Sequence, residues 1–150
     1  MRINHINIVT TNMDKSVAFY EGTLGLKRVW EGDLEGAWFD TLTALAGAKA
    51  RCVFLQDADG GVRIELLQYA KPLGGMLPNN SLPNTQGIRH IAFEVPDIDA
   101  VFEKLLVAGT PVKSEPVEVP FPVAGATKRL FYAMDPDGVI VEIASYHTPK

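Results

Sequence analysis

Two short segments with a histidine on their polar side are the clearest feature of the hydrophobic pattern. In residues 87–95, apolar and polar side chains alternate, and His90 lies among the polar ones. Residues 3–9 repeat this arrangement, with His5 and Asn7 opposite the isoleucines. Because successive side chains of a strand point to opposite faces, each segment is predicted to be a strand with one apolar face and one face that carries a histidine. The pattern indicates one site built by two duplicated halves.

The elements that follow each of these strands are predicted from periodicity and turn residues. Asn12 precedes a helical pattern over residues 13–21, and the apolar stripe of residues 98–106 predicts a surface helix in the second half. Residues 40–47 are expected to form a helical turn or flap with Asp40 as its cap. The remaining predicted strands are 26–31, 37–39, 50–55, 62–69, 129–134 and 139–144, with an extended segment over 115–122.

The pattern divides the chain into two modules of a single domain, residues 1–150. The first module spans about 1–70 and the second about 87–150, and a linker rich in proline and glycine spans about 71–86. Each module is predicted to contain a strand, a helix and three more strands. The predicted fold class is therefore α+β.

The repeat can be aligned within this one chain. In both copies the histidine of the first strand is followed by an aspartate at the same spacing, and a glutamate lies on the last strand. The aligned positions are His5 with His90, residues 54–60 with residues 131–138, which are one residue longer, and Glu65 with Glu142.

Composition and charge exclude several classes of function. Hydrophobic residues make up 47% of the chain and the formal net charge is −4, which is ordinary for a globular domain and unfavourable for binding nucleic acid or an anionic membrane. No apolar stretch is long enough to span a membrane, and the first strand begins without a signal-peptide pattern. The single cysteine, Cys52, lies in an apolar strand, which predicts an inert core thiol. We therefore expect a cytoplasmic protein.

Four residues with metal-binding side chains occupy equivalent places in the two modules. They are His5, Glu65, His90 and Glu142. Two imidazoles and two carboxylates suit one divalent cation, Zn, Ni, Co, Mn or Fe, and leave open positions for water or substrate. A single histidine or glutamate on a strand is more often a surface residue, but its repetition on two predicted non-core faces favours a metal site.

Five motifs carry a resemblance to a known family, and together they span nearly the whole chain. They are residues 4–9, 19–26, 64–66, 87–93 and 135–142. They resemble the vicinal oxygen chelate superfamily, which includes glyoxalase I, methylmalonyl-CoA epimerase, extradiol dioxygenases and fosfomycin-resistance proteins. The resemblance implies two βαβββ modules whose mixed sheets curl into a cup, with the metal ion at its floor bound by His5, Glu65, His90 and Glu142.

The resemblance also implies a metal-dependent isomerase, epimerase or lyase. A carbonyl group bound to a cation is more acidic at its α-carbon, so Glu142 is the implied principal base and Glu65 the second carboxylate. The implied substrate is a small molecule with vicinal oxygens, and the implied assembly is a homodimer. Candidate substrate contacts, for which the core or solvent is the alternative environment, are Asn7, Trp38, Phe54, Tyr69, Arg129, Tyr132 and Met134.

Two other functions remain open on the same scaffold. A dioxygenase of catechol-like compounds, with Fe(II) or Mn, would use His5, His90 and Glu142 without Glu65. A metal-free drug-binding protein of the bleomycin-resistance type would bind its ligand without turnover. Val9 stands where bacterial glyoxalase I usually carries an arginine that helps to hold glutathione, which favours an epimerase or isomerase of another carbonyl compound.

Overall fold

The computed structural model describes residues 1–148 as two compact units. The first unit comprises Met1–Met76 and the second begins at Leu77. Each contains one four-stranded mixed sheet, so the predicted α+β class is confirmed. The last two residues of the predicted second module, Pro149 and Lys150, lie outside the described residues.

The first unit has four strands and two helices. They are β1 (His5–Val9), α1 (Met13–Val17), β2 (Lys27–Glu35), α2 (Ala37–Thr43), β3 (Lys49–Gln56) and β4 (Arg63–Lys71), and α1 continues as a π-helical segment over Ala18–Thr23. The sheet order is β1-β4-β3-β2, with β1 parallel to β4 and the other pairs antiparallel. Asn12 caps α1 by accepting a hydrogen bond from the backbone N–H of Lys15, as its sequence position predicts.

The second unit repeats this order without a counterpart of α2 among its described residues. Its elements are β5 (His90–Glu94), α3 (Ile98–Val107), β6 (Val117–Glu118), β7 (Thr127–Met134) and β8 (Ile140–His147), in sheet order β5-β8-β7-β6. Asp97 caps α3 by accepting from the N–H of Ala100. None of the helices in residues 1–148 is long and apolar enough to cross a membrane.

One face of each sheet forms the core of its unit. Leu66 and Val53 lie on the face that α1 covers, and Phe131 and Ile143 lie on the face that α3 covers; all four are almost fully buried. Phe102 of α3 contacts the Phe131 ring, with a centroid separation of 5.1 Å. We call the opposite face of each sheet its site face, because alternation along the strands places the histidines there.

Strand register corrects the internal alignment by one residue. Phe54 is paired with Glu65, and Tyr132 is paired with Glu142. The counterpart of Phe54 is therefore Tyr132, and the predicted match to Phe131 is wrong. Two adjacent aromatic residues cannot be told apart by type alone, whereas pairing across the sheet distinguishes them. The extra residue lies in the first unit, in the hairpin that follows Asp57.

The helix α2 corrects a second prediction. Residues 37–39 were expected to be a strand, but they are the first turn of α2, after Gly36 at φ +95°. Asp40 lies inside the helix and is not its cap; its carboxylate accepts from the N–H groups of Gly47 and Ala48 at 2.8 and 2.9 Å. Three residues are too few for alternation to separate a strand from a helix.

Candidate metal and substrate site

A histidine and a glutamate lie side by side on the site face of the first unit. The parallel register of β1 and β4 pairs Asn7 with Glu65, which brings His5 within reach of the same carboxylate. His5 Nε2 is 3.5 Å from Glu65 Oε2, and the Asn7 amide donates to that oxygen at 3.1 Å. The Glu65 side chain is 16% exposed, so the pair is open to a ligand on one side.

The hydrogen bonds of His5 indicate which ring nitrogen is free. His5 Nδ1 is 3.0 Å from Asn4 Oδ1, which also accepts from Arg63. Because that amide oxygen can only accept, Nδ1 is the donor and a neutral ring keeps its lone pair on Nε2. Nε2 and the Glu65 carboxylate are then two electron-pair donors facing each other. A proton or a metal cation between them would make this arrangement favourable.

The second unit repeats the pair at the same distance. Ala92 is paired with Glu142 in the parallel register of β5 and β8, and His90 Nε2 is 3.5 Å from Glu142 Oε2. The Glu142 side chain is only 7% exposed. The two copies therefore place a histidine and a glutamate with the same relative geometry.

An aromatic ring accompanies each pair at matching positions. The Phe54 ring centroid is 5.5 Å from that of His5, and the Tyr132 centroid is 5.5 Å from that of His90. Each aromatic residue is also the cross-strand partner of its unit's glutamate. The repeated set is thus a histidine, a glutamate and an aromatic ring.

A lysine that the sequence analysis did not identify contacts the second pair. Lys128 Nζ is 2.6 Å from Glu142 Oε1, and this hydrogen bond raises the pKa of the lysine. Lys128 shares the site face with Tyr132 because β7 begins at Thr127, two residues before its predicted start. The two-residue spacing from Leu130 and Tyr132 was the signal that could have identified it.

In the first unit a thiol lies next to the glutamate. The Cys52 Sγ donates to Glu65 Oε1 at 3.7 Å. Burial, followed by the charge of Glu65 and this hydrogen bond, raises the pKa of the thiol to about 12. The thiol therefore stays protonated at neutral pH and is no nucleophile, in agreement with the inert role expected from the sequence.

An apolar cavity of about 910 Å³ opens over the site face of the first unit. Four predicted substrate contacts, Asn7, Trp38, Phe54 and Tyr69, line it together with His5 and Glu65. Trp30, Leu42 and Arg63 also line it and were not among the predicted contacts. Trp30 and Trp38 are the two tryptophans of the chain, and both line this cavity.

The predicted contacts of the second unit separate onto two faces. Tyr132 and Met134 lie on the site face, where they are the cross-strand partners of Glu142 and Ile140. Arg129 lies on the other face, where its guanidinium donates to both carboxylate oxygens of Asp99 at 2.6 and 2.9 Å. The structure therefore does not bring Arg129 to the candidate site, and its prediction as a substrate contact is not retained. Arg129 lies on the other face because it is three residues from Tyr132 on the same strand.

In each unit the histidine Nε2 and the glutamate Oε2 are suited to be two ligand atoms of a divalent cation. Two neighbouring ligand atoms on one ion, each at about 2.0–2.2 Å, lie about 2.8–3.6 Å apart in octahedral or tetrahedral geometry. The separations of 3.5 Å in both pairs match the upper end of that range. Among residues 1–148 no group of three or more His, Cys, Asp or Glu side chains forms a metal site. Each pair is therefore a partial ligand set.

Comparison with known proteins supports one superfamily. The model of the Glyoxalase/Bleomycin resistance protein/Dioxygenase superfamily matches residues 2–143. The uncharacterized protein YaeR of Escherichia coli (strain K12) is 32% identical over 146 residues, which cover 95% of this chain and 94% of that protein.

Solved structures show the same fold. A glyoxalase family protein from Bacillus cereus has a TM-score of 0.87 at 24% identity, over 98% of this chain and 95% of that chain. The trypanothione-dependent glyoxalase I of Leishmania major has a TM-score of 0.67 at 20% identity, over 97% and 86% of the two chains. At these identities the likeness concerns the fold.

Proposed function

The chain belongs to the Glyoxalase/Bleomycin resistance protein/Dioxygenase superfamily, and we propose that it is a cytoplasmic metal-dependent isomerase, epimerase or lyase. The observation that carries the proposal is the repeated His–Glu pair, with the same 3.5 Å separation in both units. A single His–Glu pair of this kind is common on protein surfaces. Its repetition at equivalent register positions, on the faces that do not form the core, supports a shared function.

The proposed ligands of one divalent cation are His5, Glu65, His90 and Glu142. Imidazole nitrogen and carboxylate oxygen suit Zn, Ni, Co, Mn and Fe. When bound, such a cation polarises a carbonyl oxygen and stabilises the negative charge that develops when the α-carbon loses its proton. Asn7 supports the set by donating to Glu65 Oε2, as groups that orient a ligand do.

Proton transfer is assigned to the two carboxylates. Glu142 is the proposed base, as the resemblance implies; its Oε2 lies beside His90, and its Oε1 accepts a hydrogen bond from Lys128. Glu65 is the proposed second carboxylate, which would return a proton in an epimerisation or isomerisation.

The proposed substrate is a small molecule with vicinal oxygens and a compact apolar body, bound by a homodimer. The aromatic walls of the cavity suit the apolar body, and His5, Asn7 and Glu65 provide the polar end. Val9 in place of the arginine that the resemblance implies for glutathione recognition favours a substrate other than a glutathione adduct.

The test is exchange of the α-hydrogens of 2-hydroxyacetophenone in D₂O, followed by NMR, with chelator-stripped protein reloaded with Co²⁺, Ni²⁺ or Zn²⁺. We expect metal-dependent exchange that Glu142→Gln lowers by at least about 100-fold, the usual contribution of a general base. Glu118→Gln, an exposed glutamate of β6, is the matched control and should retain activity. Unchanged exchange in Glu142→Gln would exclude Glu142 as the base. No exchange with any metal would count against proton transfer on this type of substrate.

The cavity favours a second candidate, a ligand-sequestering protein of the bleomycin-resistance type. An apolar space of about 910 Å³ with two tryptophans can bind a ligand without chemistry. This candidate predicts tight stoichiometric binding by metal-stripped protein, with no exchange or turnover after reloading.

A further inference from the structure

Lys128 and Glu142 form an ion pair that is largely removed from solvent. The lysine side chain is 17% exposed and that of Glu142 is 7% exposed, with 2.6 Å between Nζ and Oε1. The ammonium group also lies 5.4 Å from the centre of the Tyr146 ring. Breaking such a pair costs more than breaking a surface salt bridge, because it leaves one largely buried charge without a partner.

The first unit has no such pair at the equivalent place. Lys128 is paired with Tyr146 across β7 and β8, and Ala50 is paired with Tyr69 across β3 and β4. Ala50 therefore occupies the position that Lys128 holds in the second unit. Glu65 accepts from the Asn7 amide and the Cys52 thiol, which are neutral donors. The two glutamates thus differ in the charge of a contacting group, although their histidines lie equally close.

We propose that Lys128 is a positioning residue that holds Oε1 of Glu142 and leaves only Oε2, beside His90, for a metal cation. The proposal rests on the proposed function and deepens it. Glu142 then acts as a one-oxygen ligand, and the hydrogen bond at Oε1 fixes the direction of Oε2.

The lysine also lowers the affinity of the site for the cation. An ammonium group that contacts the same carboxylate repels a divalent ion a few ångströms away, and this repulsion is large in a partly buried setting. Removing the ammonium removes the repulsion and frees Oε1 as a second ligand atom. The affinity for the cation should therefore rise when the charge of Lys128 is deleted.

The experiment is a calorimetric titration of chelator-stripped protein with Co²⁺, with the visible absorption of bound Co²⁺ as a second readout. Lys128→Met keeps the length of the side chain without its charge, and we expect about tenfold tighter binding together with a changed absorption spectrum. Lys49→Met is the matched control. It deletes a lysine from the exposed pair with Glu35, and its Co²⁺ affinity should equal that of the wild type.

A second variant keeps the test decisive if Lys128→Met folds poorly. Lys128→Arg retains a positive charge beside Glu142 and should bind Co²⁺ with wild-type affinity. Unchanged or weaker binding by a folded Lys128→Met variant, or tightening by Lys128→Arg, would overturn the assignment while leaving the proposed metal site intact. Absence of Co²⁺ binding in the wild type and all variants would overturn both the assignment and the proposed function.

Discussion

The glutamate of the first unit faces an amide and a thiol, whereas the glutamate of the second faces an ammonium group. Around them the two units keep the same register, the same distance between histidine and glutamate, and an aromatic ring at the same position. The main-chain framework of a duplicated module is therefore compatible with quite different surroundings for one carboxylate. Around the two glutamates the pairing of strands is preserved, and the difference lies in side chains such as Ala50 and Lys128.

The units also differ in what covers the site face. In the first unit α2 follows β2 and brings Trp38 and Leu42 to the cavity. In the described part of the second unit, residues 119–126 between β6 and β7 form no helix. The cavity of the first unit thus has an apolar wall, and the site face of the second unit has a largely buried charge pair.

The largest expected effect is on stability, and core substitutions at equivalent positions of the two units should lower it equally. Leu66 and Ile143 occupy equivalent positions, next to Glu65 and Glu142, and both are fully buried on the helix-covered face. Leu66→Ala and Ile143→Ala should each lower the free energy of unfolding by about 2–5 kcal/mol, because each leaves a cavity. Urea denaturation measures this. Val9→Ala, at an exposed position, should change it by no more than about 0.5 kcal/mol. A marked effect in one unit and none in the other would contradict equal cores.

An intermediate effect is expected on ligand binding, which should be weakened by loss of an aromatic ring from the first unit but not from the second. Trp38→Ala removes part of the aromatic wall and should weaken binding of 2-hydroxyacetophenone about tenfold, or about 1.4 kcal/mol. Quenching of the fluorescence of Trp30, the remaining tryptophan, provides the readout. Phe121→Ala removes an exposed aromatic ring from the second unit and should leave the affinity unchanged. Equal weakening by both variants would mean that the ligand binds elsewhere.

The smallest effect concerns ion pairs that both units share. Arg51 donates to Asp14 at 2.9 Å, as Arg129 does to Asp99, so each pair ties a helix to its sheet. The hydrogen bond from Arg129 lowers the pKa of Asp99. A carboxyl group with a lowered folded-state pKa stabilises the fold at neutral pH, and this contribution disappears as the pH falls through that pKa.

Asp99→Asn should therefore lower the thermal midpoint slightly at pH 7 and make no difference at a pH below the lowered pKa of Asp99. Thermal unfolding at the two pH values checks this. Asp59→Asn, in an exposed turn, is the control. A deficit of Asp99→Asn that persists unchanged in acid would show that its effect does not come from the charge of Asp99.

Alternation along the strands was enough to predict the duplication and the faces of His5 and His90, whereas the arrangement of the strands in mixed sheets came from the family resemblance. A strand has only two faces, and a run of apolar residues identifies the one that enters the core. The same rule could have excluded Arg129 as a substrate contact, because it lies three residues from Tyr132 on the same strand and therefore on the other face. Its charge suggested a substrate contact, but its position fits the pair with Asp99.

The features that could not be predicted depend on contacts between distant segments. The spacing of Lys128 from Tyr132 indicates only the face of the strand on which it lies, and the register of β7 with β8 is needed to place it at Glu142. The match of Phe54 with Tyr132 likewise needed strand pairing. The helix α2 depends on packing, in which Phe39 stacks on Tyr69 with 6.0 Å between ring centroids.

The most direct test of the account is the stoichiometry of Co²⁺ binding to chelator-stripped wild type, His5→Ala and His90→Ala. Both histidines are substantially exposed, so neither replacement should unfold its unit. We expect one ion per chain in the wild type and at least about 100-fold weaker binding in either variant, since each removes one proposed ligand of the same cation. Wild-type affinity in either variant, or two ions per chain of which each variant loses one, would contradict a single cation bound by both His–Glu pairs.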